Sequence, residues 1–108
     1  MSEKHNLEFV DDIAQEDAAG LKEAYKSYGD SWKKRGGVSA FMMLARKWDR
    51  LEPQCEKNGY NVFDAVANDP RAEGVIDDIR DLRRYLMLVE AELRAQGVEA
   101  ASSKHRDN

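Results

Sequence analysis

Val75, Ile79, Leu82, Leu86, Val89 and Leu93 follow one another at steps of four, three, four, three and four residues. A chain gathers such positions on one side by coiling into an α-helix, because a strand alternates sides at every residue. The spacing predicts a long helix over 71–96, with Gly97 as its C-terminal stop. The remainder of the chain must supply a surface against which that seam is buried.

The preceding sequence carries the same period. Val10, Ile13, Ala14, Ala18, Leu21, Tyr25 and Tyr28 predict a helix over 8–28. Its acidic start, Asp11, Asp12, Glu16 and Asp17, suits the positive end of the helix dipole. A second helix is expected from Ser39, as N-cap, to Glu52, stopped by Pro53. Phe41, Leu44, Ala45, Trp48 and Leu51 would form its apolar face, and Arg46, Lys47 and Arg50 a basic outer face. Between the turn signals Asn58-Gly59 and Asn68-Asp69-Pro70, Asn61 caps a short helix containing Val62, Phe63, Ala65 and Val66. No stretch shows period-two alternation. The expected architecture is all-α: a small helical bundle of three main helices and one short helix.

The chain has 108 residues and a mass of 12.3 kDa, room for one domain. Residues 1–9 are expected to be a flexible segment, 10–97 the domain and 98–108 a disordered tail. A core this thin leaves part of the heptad seam uncovered, so a homo-oligomer is expected. The longest apolar run, Ala40–Ala45, is far short of the ~20 residues of a membrane helix. With no secretory signature at the N-terminus and the single Cys55, a cytoplasmic location is expected. The only histidines, His5 and His105, fall in the expected tails, which argues against a His-based triad or metal site. A net charge of −4 argues against binding double-stranded DNA.

Carboxylates must then carry any chemistry. Asp49 and Glu52 share a face of the second helix, and Asp78 and Asp81 share a face of the third. If the two helices pack antiparallel, the four could converge on Mg²⁺, which takes oxygen ligands. The alternative is ordinary ion pairs with Arg46, Arg50, Arg80, Arg83 or Arg84. A second cluster is cationic. Lys26, Lys33, Lys34 and Arg35 stand among Gly29, Gly36 and Gly37, where backbone N–H groups can approach an anion. The spacing is not that of a P-loop; the segment reads as a phosphate cradle or a solvated loop. Trp32, in this polar segment, is the candidate for stacking a nucleobase, with Tyr28, Trp48 and Tyr85 as further aromatics. Trp48 and Phe41 are also expected in the core.

The paired carboxylates resemble the metal-binding pattern of MazG-like all-α nucleotide pyrophosphohydrolases, with Asp49 and Asp78 where that family has Glu. The resemblance implies a Mg²⁺-dependent hydrolase of nucleoside triphosphates. Residues 22–95 also resemble the nucleotide-modification-associated domain family of phages and bacteria. The resemblance rests on Tyr28-Gly29-Asp30-Ser31-Trp32, the following Lys-Lys-Arg-Gly-Gly, the helix with Lys47, and Asp77-Asp78-Ile-Arg-Asp81-Leu-Arg-Arg-Tyr85-Leu. It implies a protein that binds or processes a nucleotide, with Lys26, Trp32, Lys33, Lys34, Arg35 and Lys47 contacting it. Three functions follow as expectations: a nucleotide-binding protein, a MazG-like hydrolase, and a non-catalytic anti-defence protein that sequesters a nucleotide signal or binds a host protein.

Overall fold

The computed structural model describes residues 5–71 and 74–98. These residues form helices α1 (Asn6–Tyr28), α2 (Gly37–Glu56), α3 (Val62–Ala67) and α4 (Val75–Ala95), with a single 3₁₀ turn at Ser31–Lys33. The chain is all-helical, and no strand occurs among the described residues. No described helix is long and apolar enough to cross a membrane. All of the tail expected at 98–108 except Val98, and residues 1–4 of the expected flexible start, lie outside the described residues.

The helix ends follow local chemistry. α1 opens at Asn6, slightly earlier than the periodicity suggests, because His5 acts as N-cap: its Nδ1 accepts from the Leu7 N–H at 3.1 Å, and Glu8 accepts from the His5 N–H at 2.9 Å. Ser39 is not the N-cap of α2, which already begins at Gly37. Its hydroxyl instead accepts from the Arg35 N–H at 3.1 Å and donates toward Gly36 O at 3.0 Å, folding the basic loop onto the helix start. Pro53 does not stop α2. A proline deletes one helical N–H, and the last turn persists because Leu51 and Cys55 pack in the core on either side of it. Asn61 caps α3 as its sequence suggests, accepting from the N–H groups of Phe63 and Asp64. α4 ends with Gly97 at φ +89°, and the Val98 N–H returns to Leu93 O at 2.9 Å. That backbone conformation is strained for any residue with a Cβ, so Gly97→Ala should cost about 1 kcal/mol in thermal unfolding.

α2 and α4 run antiparallel, as the pairs Lys47–Asp81 and Arg50–Asp78 require. The core sits at the end of this hairpin, where Leu51, Ala65 of α3 and Val75 are buried and Cys55, Val62, Ile79 and Leu82 pack around them. The first half of the heptad seam is therefore covered and the second half only in part: Val89 is half-buried, while Leu86 and Leu93 remain exposed. α2 is turned by roughly a quarter turn from its expected orientation. Lys47 and Arg50, expected on the outside, reach α4, while Phe41 and Trp48, expected in the core, are exposed.

α1 meets the hairpin at one crossing point. Asp17, only 1% exposed, accepts from Arg83 through both oxygens and from Arg84 Nε at 2.8 Å. One turn on, Gly20 lies so close to α4 that a Cβ there would sit 2.6 Å from the Arg84 guanidinium. Asp17 titrates at about 2, chiefly because Arg83 donates to its charged form against the opposing effect of burial.

Candidate functional site

On the C-terminal side of that crossing, α1 and α4 part and leave a cleft of about 540 Å³. α1 contributes Leu21, Ala24, Tyr25 and Tyr28, and α4 contributes Arg84, Tyr85 and Leu88. The Gly29–Trp32 turn closes one end, and Met43 of α2 contributes to the wall. The cleft is bounded by four aromatic side chains, Tyr25, Tyr28, Trp32 and Tyr85, with Asp30, Ser31, Asp81 and Arg84 as its polar groups. An aromatic wall with few polar groups suits a flat ring system better than a compact ion.

Trp32 lies in a polar segment of sequence, yet it is buried at the base of the 3₁₀ turn. Two features hold it. The Ser39 hydroxyl lies 3.3 Å from Trp32 O, and Lys33, its ammonium 6.0 Å from the indole centroid, pairs with Glu92 of α4. This pairing raises the pKa of Lys33 and is also the main influence lowering that of Glu92. The turn is thereby fastened to the C-terminal half of α4.

The other expected cations divide into engaged and open groups. Lys26 pairs with Glu23 on the exposed side of α1, and Lys47 pairs with Asp81 at 3.0 Å. Lys34 and Arg35 are exposed immediately beyond Trp32. Among the expected nucleotide contacts, Trp32 alone lines the cleft; Lys33, Lys34 and Arg35 follow it in the chain, and Lys47 is tied to Asp81, one of the polar groups of the cleft.

The four carboxylates expected to hold Mg²⁺ do not form a ligand set. Asp78 is 1% exposed and accepts from Arg50 Nε at 2.8 Å and Arg71 Nη2 at 3.3 Å. Asp81 is taken by Lys47, while Asp49 and Glu52 are exposed on the side of α2 away from these pairs. Among the described residues no three His, Cys, Asp or Glu side chains stand close enough together to hold a metal ion. As placed, the donors do not form a Mg²⁺ site: Asp78 is buried against two guanidiniums that oppose a further cation, and Asp49 and Glu52 stand on another side of α2.

Sequence reading missed Asp17 and Asp69. Asp69, held well below the usual carboxylate range by Arg71, also accepts from the Val75 N–H at 2.6 Å and so anchors the start of α4. With Asp78 it makes Arg71 a bridge across two carboxylates. Comparison with protein-family models, curated proteins and solved structures finds no match for this chain.

Proposed function

We propose that the chain is a small nucleotide-binding protein that takes a nucleobase into the aromatic cleft and meets its phosphate with the open cations of the basic loop. The observation that carries this reading is the position of Trp32: one wall of the cleft, followed directly by Lys33, Lys34 and Arg35. Base stacking on an aromatic side chain contributes about 1–3 kcal/mol, and each exposed cation adds a phosphate contact that salt screens. The Tyr28–Trp32 segment, which carries the resemblance to the nucleotide-modification-associated family, is continuous along one end of the cleft. Hydrolysis is not part of the proposal, because two of the four acidic residues that a MazG-like mechanism needs, Asp78 and Asp81, are engaged by Arg50, Arg71 and Lys47, and Asp49 and Glu52 are exposed on another side of α2. A protein of this kind would sequester a nucleotide and leave it intact.

The test is a thermal-shift panel of linear nucleotides and cyclic dinucleotides, followed by chromatography of each mixture. A ligand that binds only the folded chain raises its melting temperature by mass action. In a Trp48→Phe background the remaining tryptophan, Trp32, reports binding by fluorescence. The expected result is a shift with the nucleotide recovered unchanged, and an affinity about tenfold weaker in Lys34→Ala/Arg35→Ala. Product formation would overturn the non-catalytic part. The absence of any shift or fluorescence change would overturn the proposal and favour a module that binds a protein through the exposed part of the α4 seam at Leu86 and Leu93.

A further inference from the structure

α1 carries a second feature, which overlaps the cleft wall only at Tyr25 and Tyr28. Leu7, Val10, Ala14, Ala18, Tyr25 and Tyr28 recur at helical spacing along one side of a 23-residue helix, and all six are exposed. Leu7 is 68%, Val10 53%, Tyr25 60% and Tyr28 71% exposed. The stripe runs nearly the full length of the helix, about 32 Å at 1.5 Å per residue. Isolated apolar side chains on a surface are ordinary; a line of them along one helix, broken only where the half-buried Leu21 turns into the cleft, is not.

The charges beside the stripe identify its occupant. With 100° between successive residues, Glu8 and Asp11 flank it in the N-terminal half, and Lys22 and Lys26 flank it on the same side in the C-terminal half. A parallel two-fold copy would turn these flanks to opposite sides of the pair and leave their charges unmatched. An antiparallel copy sets Glu8 and Asp11 against Lys22 and Lys26 of the partner subunit, at both ends at once. It also places Leu7 on Tyr28 of the partner subunit and Val10 on Tyr25 of the partner subunit. Ala18 then lies at the midpoint, where two helices pack most closely if the side chains are small, and Ala14 lies one turn away. The fold itself has need of such a partner, since its buried cluster of Leu51, Ala65 and Val75 is small and leaves α1 outside it.

We infer that the protein is a two-fold homodimer in which α1 packs antiparallel against α1 of a second copy. The interface is isologous, so it closes on itself and stops at two chains. It stands on the surface of α1 and meets the cleft at Tyr25 and Tyr28, so a ligand and the second copy share those two side chains.

The test is sedimentation equilibrium of the full chain across the micromolar range, with three variants. The wild type is expected at twice the 12.3 kDa chain mass. Ala18→Glu sets two carboxylates face to face at the midpoint and should weaken the dimer about tenfold or more. Because Ala18 is exposed, the helical circular dichroism should be retained. Asp11→Lys should weaken the dimer, and Asp11→Lys/Lys22→Glu should restore it, since the swap rebuilds the pairing only between antiparallel helices. A monomer throughout the range would overturn the inference. So would a dimer indifferent to Ala18→Glu, which would place the interface on another face, or a double swap that fails to rescue.

Discussion

Asp78→Ala will lower the free energy of unfolding by about 3 kcal/mol, read as a drop in the urea midpoint at unchanged slope. The carboxylate is buried, and its removal deletes the one side chain that ties Arg50 of α2 to Arg71, which keeps Asp69, in the segment before α4. Both arginines are part-exposed, so water recovers some of the loss, which places the figure at the lower end for a broken buried pair. Arg50→Ala should cost a similar amount for the opposite reason, leaving a buried negative charge with one weaker partner. Asp49→Ala and Glu52→Ala remove exposed carboxylates and should stay within about 0.5 kcal/mol of wild type. This contrast separates a structural role from a metal-binding one. Four residues acting as one ligand set would respond together to Mg²⁺, whereas here Asp78 is expected to stand alone and its cost to be the same with or without the ion. An Asp78→Ala protein as stable as wild type would remove the basis for assigning that carboxylate to the fold.

The limits of the sequence reading come from this same group of charges. Helix content was legible because spacing alone reports it: α4, α2 and the Asn61 cap of α3 follow from local pattern. Periodicity names a face but not its partner. Leu82 is packed and Leu86, one turn further on, is half exposed, although both belong to the same apolar seam, because α3 covers only one end of it. α2 was misoriented for a related reason. An apolar-inward rule selects Phe41 and Trp48, but Lys47 and Arg50 find carboxylates at Asp81 and Asp78, far along the chain. No local property of α2 encodes that match. Asp17 did leave a signal. An acid at the centre of an apolar stripe, between Ala14 and Leu21, requires a cation from elsewhere, and the doubled Arg83-Arg84 on the seam helix is the natural source. Trp32 was recognisable as unusual from its polar surroundings, but its burial depends on Lys33 reaching Glu92 and on Ser39 holding the loop.

Asp17→Asn is expected to loosen α1 from the hairpin and to cost about 2 kcal/mol. The amide keeps the shape of the side chain but can no longer neutralise Arg83 and Arg84. The same residue gives the fold an acid sensitivity of fixed sign. Its pKa falls from 3.8 to about 2 on folding, so the folded state binds the proton less well than the unfolded state. The stabilisation is therefore complete above about pH 4 and declines as the pH falls toward 2. Asp69 and Glu92 are also lowered, by Arg71 and Lys33, and contribute losses of the same sign. The contribution of Asp17 is isolated by difference: between pH 5 and 2 the stability of wild type should fall more steeply than that of Asp17→Asn, and the two curves should converge at the acid end. A carboxyl carbon titration by NMR would place the midpoint directly. A midpoint near 4, or parallel stability curves, would show that the two arginines do not hold Asp17 in its charged form. The crossing of α1 over α4 would then have to rest on the close approach at Gly20 and the apolar contacts bordering the cleft.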